Sequence, residues 1–512
     1  MTRLALCLVI LLLPFAAASC DRQQPEGIRN NTQATQGNVP DTTKPTSGHD
    51  DYAEDLSVPI PALNEYMVSL EINTDDRTVN GIQRVVFSNR TGEPLYDIVL
   101  RTFLNAFSEG FEPAPFFPEH ETRVFRGGRS YGSIDVQYAS IDNESLEFDH
   151  DGTVLILHLP LPLAPGDTVH LTIQFVAAMP SIAHLTGGND NAMWFGMFLP
   201  HVAVFGEDGW HTEDFYPAGS PFILENASFN VEVWTPARYT VVGSGIRTEE
   251  TIEDTNTKLT TFVAQQARDF AFAISDSFTH ARISTASGVD IHFYYYTESL
   301  APDDILGFAR DLMEQFESRV GTFPFQHITI IEADLSFEGA SLSQVVFMDP
   351  ILPIQGNFRW LAHAIGNQWL KNIVGSNRIL YPWLTEGLTR FASAALLYEA
   401  REELHEIMAE QYESVASYDD LHLTHSLDKF ESWRHFAYTH GRKAQLMFYA
   451  LYDLMGDDEF WHLISLYYHT FSFSMASGAD FFMLAEEVFG ESLDGFIADW
   501  FHSGNVPRLI ER

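Results

Sequence analysis

The first regular pattern in the chain is an alternation. Tyr66, Val68, Leu70 and Ile72 are separated by polar or exposed-type neighbours, the period-two spacing of a half-buried strand. The same spacing returns at Val169, Leu171, Ile173 and Phe175, just after the turn Ala164-Pro165-Gly166-Asp167, and again at Phe229, Val231 and Val233. Between Tyr66 and about Thr297 turn signals are frequent and long helical patterns are absent. This predicts a mostly antiparallel β domain over residues 62–297. The aromatic run Phe293-Tyr294-Tyr295-Tyr296 reads as a core strand within it. The period then changes. Ile305, Phe308, Leu312, Phe316 and Val320 follow helical spacing, with Pro302 and two aspartates in the first turn and Gly321 at the end. A strand is expected at His327 to Ile331. Helices are expected near 358–374, 384–402, 441–455, 459–471 and 481–489. The fold class is therefore α+β, strands first and helices after, with no internal repeat.

The first twenty residues follow a different logic. Arg3 precedes an apolar run from Leu4 to Phe15, followed by small residues, Ala16 to Ser19. That is the build of a secretory signal segment, and the run is short for a membrane span. The only cysteines are Cys7, inside the run, and Cys20, just after it. After removal of the segment no internal disulfide is possible. A lone cysteine at this place resembles a bacterial lipoprotein site, which implies acylation of Cys20, export, and a lipid anchor in the bacterial cell envelope. Residues 21–61 are polar and rich in Asn, Gln, Thr, Pro and Gly, as expected of a flexible tether.

Charge narrows the partners. Across 512 residues, 70 Asp and Glu against 29 Lys and Arg give a net charge of −41. Nucleic acid is excluded as a partner, because phosphate binding needs clustered cations. Attachment to anionic lipid by charge alone is excluded on the same ground. Hydrophobic residues at 45% and aromatics at 13% supply ample core, so wholesale disorder is excluded too.

The informative chemistry lies in His363-Ala364-Ile365-Gly366-Asn367-Gln368-Trp369-Leu370-Lys371-Asn372, followed by Trp383-Leu384-Thr385-Glu386-Gly387. This resembles the gluzincin aminopeptidases, the membrane alanyl aminopeptidase and leukotriene-hydrolase family, which carry H-E-x-x-H-Q-W and then a glutamate in W-L-N-E-G. Glu386 stands 19 residues after Asn367, the family's interval from the second histidine. Other motifs fall in order. Gly321-Thr322-Phe323-Pro324-Phe325 resembles G-x-Y-P-Y, Asp269-Phe270-Ala271 resembles D-F-A, and Tyr438-Thr439-His440-Gly441 resembles Y-x-x-G, whose tyrosine steadies the transition state. The resemblance covers about Tyr66 to the end. It implies an amino-terminal β domain of aminopeptidase type, a thermolysin-like peptidase domain over 298–440, and a helical carboxyl-terminal region over 441–512. It also implies zinc as the cofactor and peptides as the ligands of the cleft.

The departures carry the functional reading. In the family two histidines and a distant glutamate hold zinc, and the glutamate beside the first histidine takes a proton from the metal-bound water. Here His363 and Glu386 remain, Asn367 replaces the second histidine, and Ala364 stands where the general base should be. The strand that should carry an amine-binding glutamate reads Gly339-Ala340-Ser341-Leu342, with Ser341 or Leu342 in its place and Glu338 nearby. The expectation is a peptidase-fold protein whose zinc binding is weak or absent and whose peptidase chemistry is lost, the cleft serving to bind peptides or to scaffold. The alternative is an active metallopeptidase with the altered set His363, Asn367 and Glu386. Without metal, Glu386 is expected to pair with a donor such as Tyr438 or to have a raised pKa. His435 and His440, flanking Tyr438, are a candidate substitute metal pair.

Overall fold

The computed structural model describes residues 63–252, 256–398 and 400–508. The expected signal segment 1–20, its Cys20 and the whole of the expected tether 21–61 lie outside the described residues. Alternation builds the first layer. Strand Asn64–Asn73 buries every second side chain, and Leu70 is fully enclosed. It pairs antiparallel with Thr78–Ser88 and parallel with Ala227–Pro236, within an eight-stranded sheet that also takes in Thr168–Ala178 and Thr257–Ala267. That single parallel pair apart, the ladders of this sheet are antiparallel. Inward residues of these strands, among them Val68, Ile173, Phe229 and Phe262, form one apolar core with a smaller four-stranded sheet around Leu95–Arg101 and Val154–Leu163.

A second, five-stranded sheet runs in the order Thr279–Ser284, Asp290–Tyr295, His327–Glu332, Val345–Met348, Gly339–Leu342. Its three central strands are parallel. Helix Pro302–Arg319 makes the crossover between Asp290–Tyr295 and His327–Glu332, which a parallel pair requires. Proline opens this helix, aspartates 303 and 304 sit at its positive end, and Ile305, Leu306, Leu312, Met313 and Phe316 face the core. The strands at 279–295 thus hydrogen-bond into the sheet of the following region, so the β domain's own ladders end at Ser275.

The remainder is helical. Helices Pro382–Leu397, Ala444–Met455, Asp457–Phe471 and Gly478–Phe489 fall where the periodicity places them. The pattern did not reveal two more, Arg401–Val415 and Asp494–Phe501. The first buries only Leu404, Met408 and Val415, and the second only Trp500, so their apolar stripes are too thin to read.

One buried cation ties the two regions together. Arg268 lies at the end of the β domain and donates from its guanidinium to the carbonyls of Leu224, Asn372, Ile373 and Ser474. Gly375 makes room for it, since a Cβ there would stand 2.3 Å from the guanidinium carbon. Burial lowers the Arg268 pKa to about 9, and the four carbonyls supply the compensation that a buried cation needs. Arg268→Met is expected to lower stability by about 3 kcal/mol, because several buried carbonyls would lose their donors at once. Urea unfolding monitored by tryptophan fluorescence measures this, and a loss below about 1 kcal/mol would contradict the role assigned to Arg268.

Candidate functional site

The motif helix Arg359–Asn367 buries Leu361, Ala362, His363, Ala364, Ile365, Gly366 and Asn367. It continues as a wider π-helical turn, Gln368–Ile373, a local form frequent at functional sites that hydrophobic spacing does not reveal. Trp369 anchors the turn. Its indole N–H donates to the Gly321 carbonyl, and its ring stacks on Phe316 and packs against Phe323. The polar framework faces the edge strand Gly339–Leu342. Gln368 and Asn372 both donate to the Ser341 hydroxyl and to the Leu342 carbonyl, and the Ser341 hydroxyl donates to the Ala364 carbonyl. Ser341 therefore holds the strand to the motif helix and has no hydroxyl hydrogen left for a ligand.

Helix Pro382–Leu397 brings Glu386 to the same point. Two glycines set the approach. A Cβ on Gly387 would stand 2.4 Å from that of Ala444, and a Cβ on Gly366 would strike Phe316, Ser393 and Thr389. Trp383 fixes the start of the helix between Phe448, Phe482 and Phe501.

A cleft of about 560 Å³ opens over this junction, lined among others by Gly339, Ala340, Ser341, His363, Asn367, Lys371, Glu386 and Arg390. His363 Nε2 lies 3.3 Å from Glu386 Oε2, with only 10% and 15% of the two side chains exposed. Arg390, one turn further along the helix, places Nη2 3.7 Å from the same oxygen. Burial and the Arg390 charge push the His363 pKa down, which leaves a neutral imidazole donating Nε2–H to the carboxylate. Burial alone would raise the Glu386 pKa. The hydrogen bond from His363, the charge His363 gains once acid protonates it, and the charges of Arg390 and Lys371 outweigh it and hold the carboxyl at about 2. Of the two alternatives expected, the raised pKa is overturned, whereas Glu386 does pair with a donor, His363 and Arg390 taking the place suggested for Tyr438. Two cations close by give the carboxylate its counter-charge. Lys371 is itself buried, which lowers its pKa to about 7, and its ammonium donates to the Ser341 carbonyl.

Two buried acceptors stay unpartnered at this point, His363 Nδ1 and the Asn367 amide oxygen Oδ1. Ala364 is fully enclosed and offers no polar side-chain atom where the family has its base. Tyr438 sits on another π-helical turn, Ala437–Lys443, packed edge-on against Tyr418 and beneath the Arg442 guanidinium. It is not among the residues lining the cleft, although Phe436, Ala437, Gly441 and Arg442 are. Glu338 lines the cleft as an exposed carboxylate just before the edge strand.

His435 and His440 do not face one another as a ligand pair. Their Nε2 atoms engage the carbonyls of Asp420 and His425. They brace a loop on which Asp420, His422 and His425 gather one donor atom each within 4.8 Å, the one such group of three among the described residues. The spacing D-L-H-L-T-H carried the signal, with Leu421 and Leu423 buried and the polar residues outside.

The order of these parts, strand, motif helix, distant glutamate and tyrosine turn, agrees with comparison to known domains. Residues 351–500 match the model of the peptidase family M1 domain. The matched segment takes in the motif helix, Glu386 and the Tyr438 turn, and the likeness of fold to solved structures extends beyond it. The M1 zinc metallopeptidase of Deinococcus radiodurans is 16% identical, with a TM-score of 0.66 over 88% of this chain and 95% of that one. A glutamate-to-alanine mutant of that enzyme, solved alone and bound to a Tyr-Ser-Ala substrate, matches at 17% identity and a TM-score of 0.66 over 88% and 96%. At such identities the likeness is one of fold. Among curated proteins none matches the sequence.

The Glu386 pKa sets a pH dependence. A carboxyl at about 2 in the folded chain and near 4.5 when unfolded stabilises the fold fully above about pH 4.5 and loses that contribution as pH falls toward 2. Glu386→Gln is expected to destabilise the protein at pH 7, leaving Arg390 and Lys371 without their counter-charge, and its deficit is expected to shrink on acidification below about pH 4.5. Thermal melts of both proteins from pH 7 to 3 measure this, and a deficit that does not change with pH would contradict the ionised state assigned to Glu386.

Proposed function

We propose that this chain is an exported M1-fold protein that binds peptides in its cleft without hydrolysing them. The observation that carries this reading is the donor set. His363 Nε2 is in contact with Glu386, Asn367 contributes a neutral amide oxygen in place of an imidazole, and Ala364 contributes nothing. Zinc favours imidazole, thiolate and carboxylate donors. One histidine, one amide and one carboxylate already held by Arg390 do not fit it, so no step is derived through a metal. The absent base alone removes about 10²–10⁴ in rate. His363 instead acts as a neutral donor that orients Glu386.

Binding is supported separately from chemistry. The edge strand brings half-exposed backbone at Gly339 and Ala340 to the cleft wall, a surface an extended peptide can follow. A glutamate-to-alanine mutant of the Deinococcus radiodurans enzyme, which shares the fold, holds a Tyr-Ser-Ala substrate.

The test compares the parent with Asn367→His. The purified parent is expected to release no product from unblocked or blocked peptides with added zinc, and Asn367→His is expected to raise zinc affinity by at least about 10-fold, the scale of a perturbed metal site. Zinc-dependent turnover by the parent, or equal zinc affinity in the two proteins, would overturn the reading.

A further inference from the structure

The cleft has the opposite charge balance to the chain that forms it. Over the whole sequence acidic residues outnumber basic ones 70 to 29. Around the cleft the basic residues Arg123, Arg359, Lys371, Arg390 and Arg442 face only two carboxylates, Glu338 and Glu386. Even with Lys371 neutral, four guanidiniums face two acids.

Little of this charge is used internally. Among the described residues only Arg390 of the five has a carboxylate within 4.0 Å, the Glu386 contact already described. Arg442 lies over the Tyr438 ring at 4.6 Å and Arg359 over the Tyr398 ring at 5.7 Å. Such stacking fixes the plane of a guanidinium and leaves its N–H fork free for a carboxylate. The Arg390 Nε is buried with no acceptor. The cations also grade outward, from buried Lys371 through half-buried Arg390 and Arg442 to exposed Arg359 and Arg123. A concave surface lined by one sign of charge concentrates ligands of the other sign. The acidic exterior opposes this only at range, because at physiological salt its field decays over about 8 Å.

We propose that the cleft selects peptides bearing aspartate or glutamate side chains, whose carboxylates pair with Arg359, Arg442 and the cations deeper in the cleft. This rests on the peptide-binding reading above and names the class of peptide. Glu386 offers a ligand amine little net charge, since Arg390 and His363 already engage its Oε2. The cleft therefore offers cations where an aminopeptidase offers an acid.

Fluorescence anisotropy on the full chain tests this with three labelled, amino-acetylated hexapeptides in which alanine alternates with glutamate, glutamine or lysine. The glutamate peptide is expected to bind at least about 10-fold more tightly than the glutamine peptide, with the lysine peptide weakest. Arg359→Gln and Arg123→Gln, both exposed and so compatible with folding, are each expected to weaken the glutamate peptide several-fold and to narrow its advantage over the glutamine peptide. Arg310→Gln, an exposed helix position paired with Asp311, is expected to change neither. Equal binding of the glutamate and glutamine peptides, or preference for lysine, would overturn the charge selection while leaving peptide binding intact. If none of the three binds, the peptide-binding reading falls and this proposal with it.

Discussion

Glu386 is a carboxylate with 15% of its side chain exposed, held between two packed helices, and such a group must be given a counter-charge or a proton. The surroundings of the cleft follow from that requirement. A bound divalent cation would satisfy it in a zinc peptidase. Here the Arg390 guanidinium, the neutral His363 N–H and the buried Lys371 ammonium do so from the protein itself. The carboxylate stays ionised, and its Oε2 engages His363 Nε2. The charge left over, carried by Lys371 and the arginines around it, makes the cleft basic within an acidic chain.

The scaffold survives because its residues do different work from the chemistry. Gln368 and Asn372 bind the edge strand, Trp369 closes the packing against Phe316 and Phe323, Gly366 and Gly387 allow close helix contacts, and Arg268 joins the two regions through four carbonyls. Changing the polar or aromatic members of this set would leave a cavity or an orphaned polar group, and a side chain at either glycine would strike its neighbours. Ala364 and Asn367 are the reverse case. Ala364 packs into the core at no polar cost, and the Asn367 amide leaves a single acceptor unpaired. The framework positions are constrained by packing and hydrogen bonding, whereas the side chains at Ala364 and Asn367 are not held by such partners.

Much of this was legible in the sequence. Alternation at Tyr66, Val169 and Phe229 marked real strands because each has one face in a core, and the 3.6 period at Ile305–Phe316 marked a real helix for the same reason. The spacing from His363 through Asn367 to Glu386 placed three cleft residues correctly, since helix pitch and the return of one later helix determine it. Long-range partnership was not legible. Arg390 reads as an ordinary exposed helix residue, one turn after Glu386, and only the folded arrangement brings Lys371 near the same carboxylate. The raised pKa offered as one alternative for Glu386 failed for that reason, and the donors that do pair with it, His363 and Arg390, were not the Tyr438 suggested. The two π-helical turns, which place Lys371 in the cleft lining and Tyr438 outside it, depend on hydrogen-bond slippage that hydrophobic spacing does not record. That strands 279–295 join the second sheet was not legible, because strands of neighbouring sheets carry the same pattern.

The central claim is that His363 and Glu386 partner each other instead of zinc. The most direct measurement is metal analysis of the full chain after equilibrium dialysis against trace zinc, alongside His363→Ala and a His422→Ala/His425→Ala variant. The last removes the separate donor group on the Asp420 loop, which would otherwise add its own zinc to the count. The expected result is that changing His363 leaves the bound zinc the same, and that any zinc present disappears with His422 and His425. One zinc per chain, retained by the His422→Ala/His425→Ala variant and lost on His363→Ala, would contradict the claim.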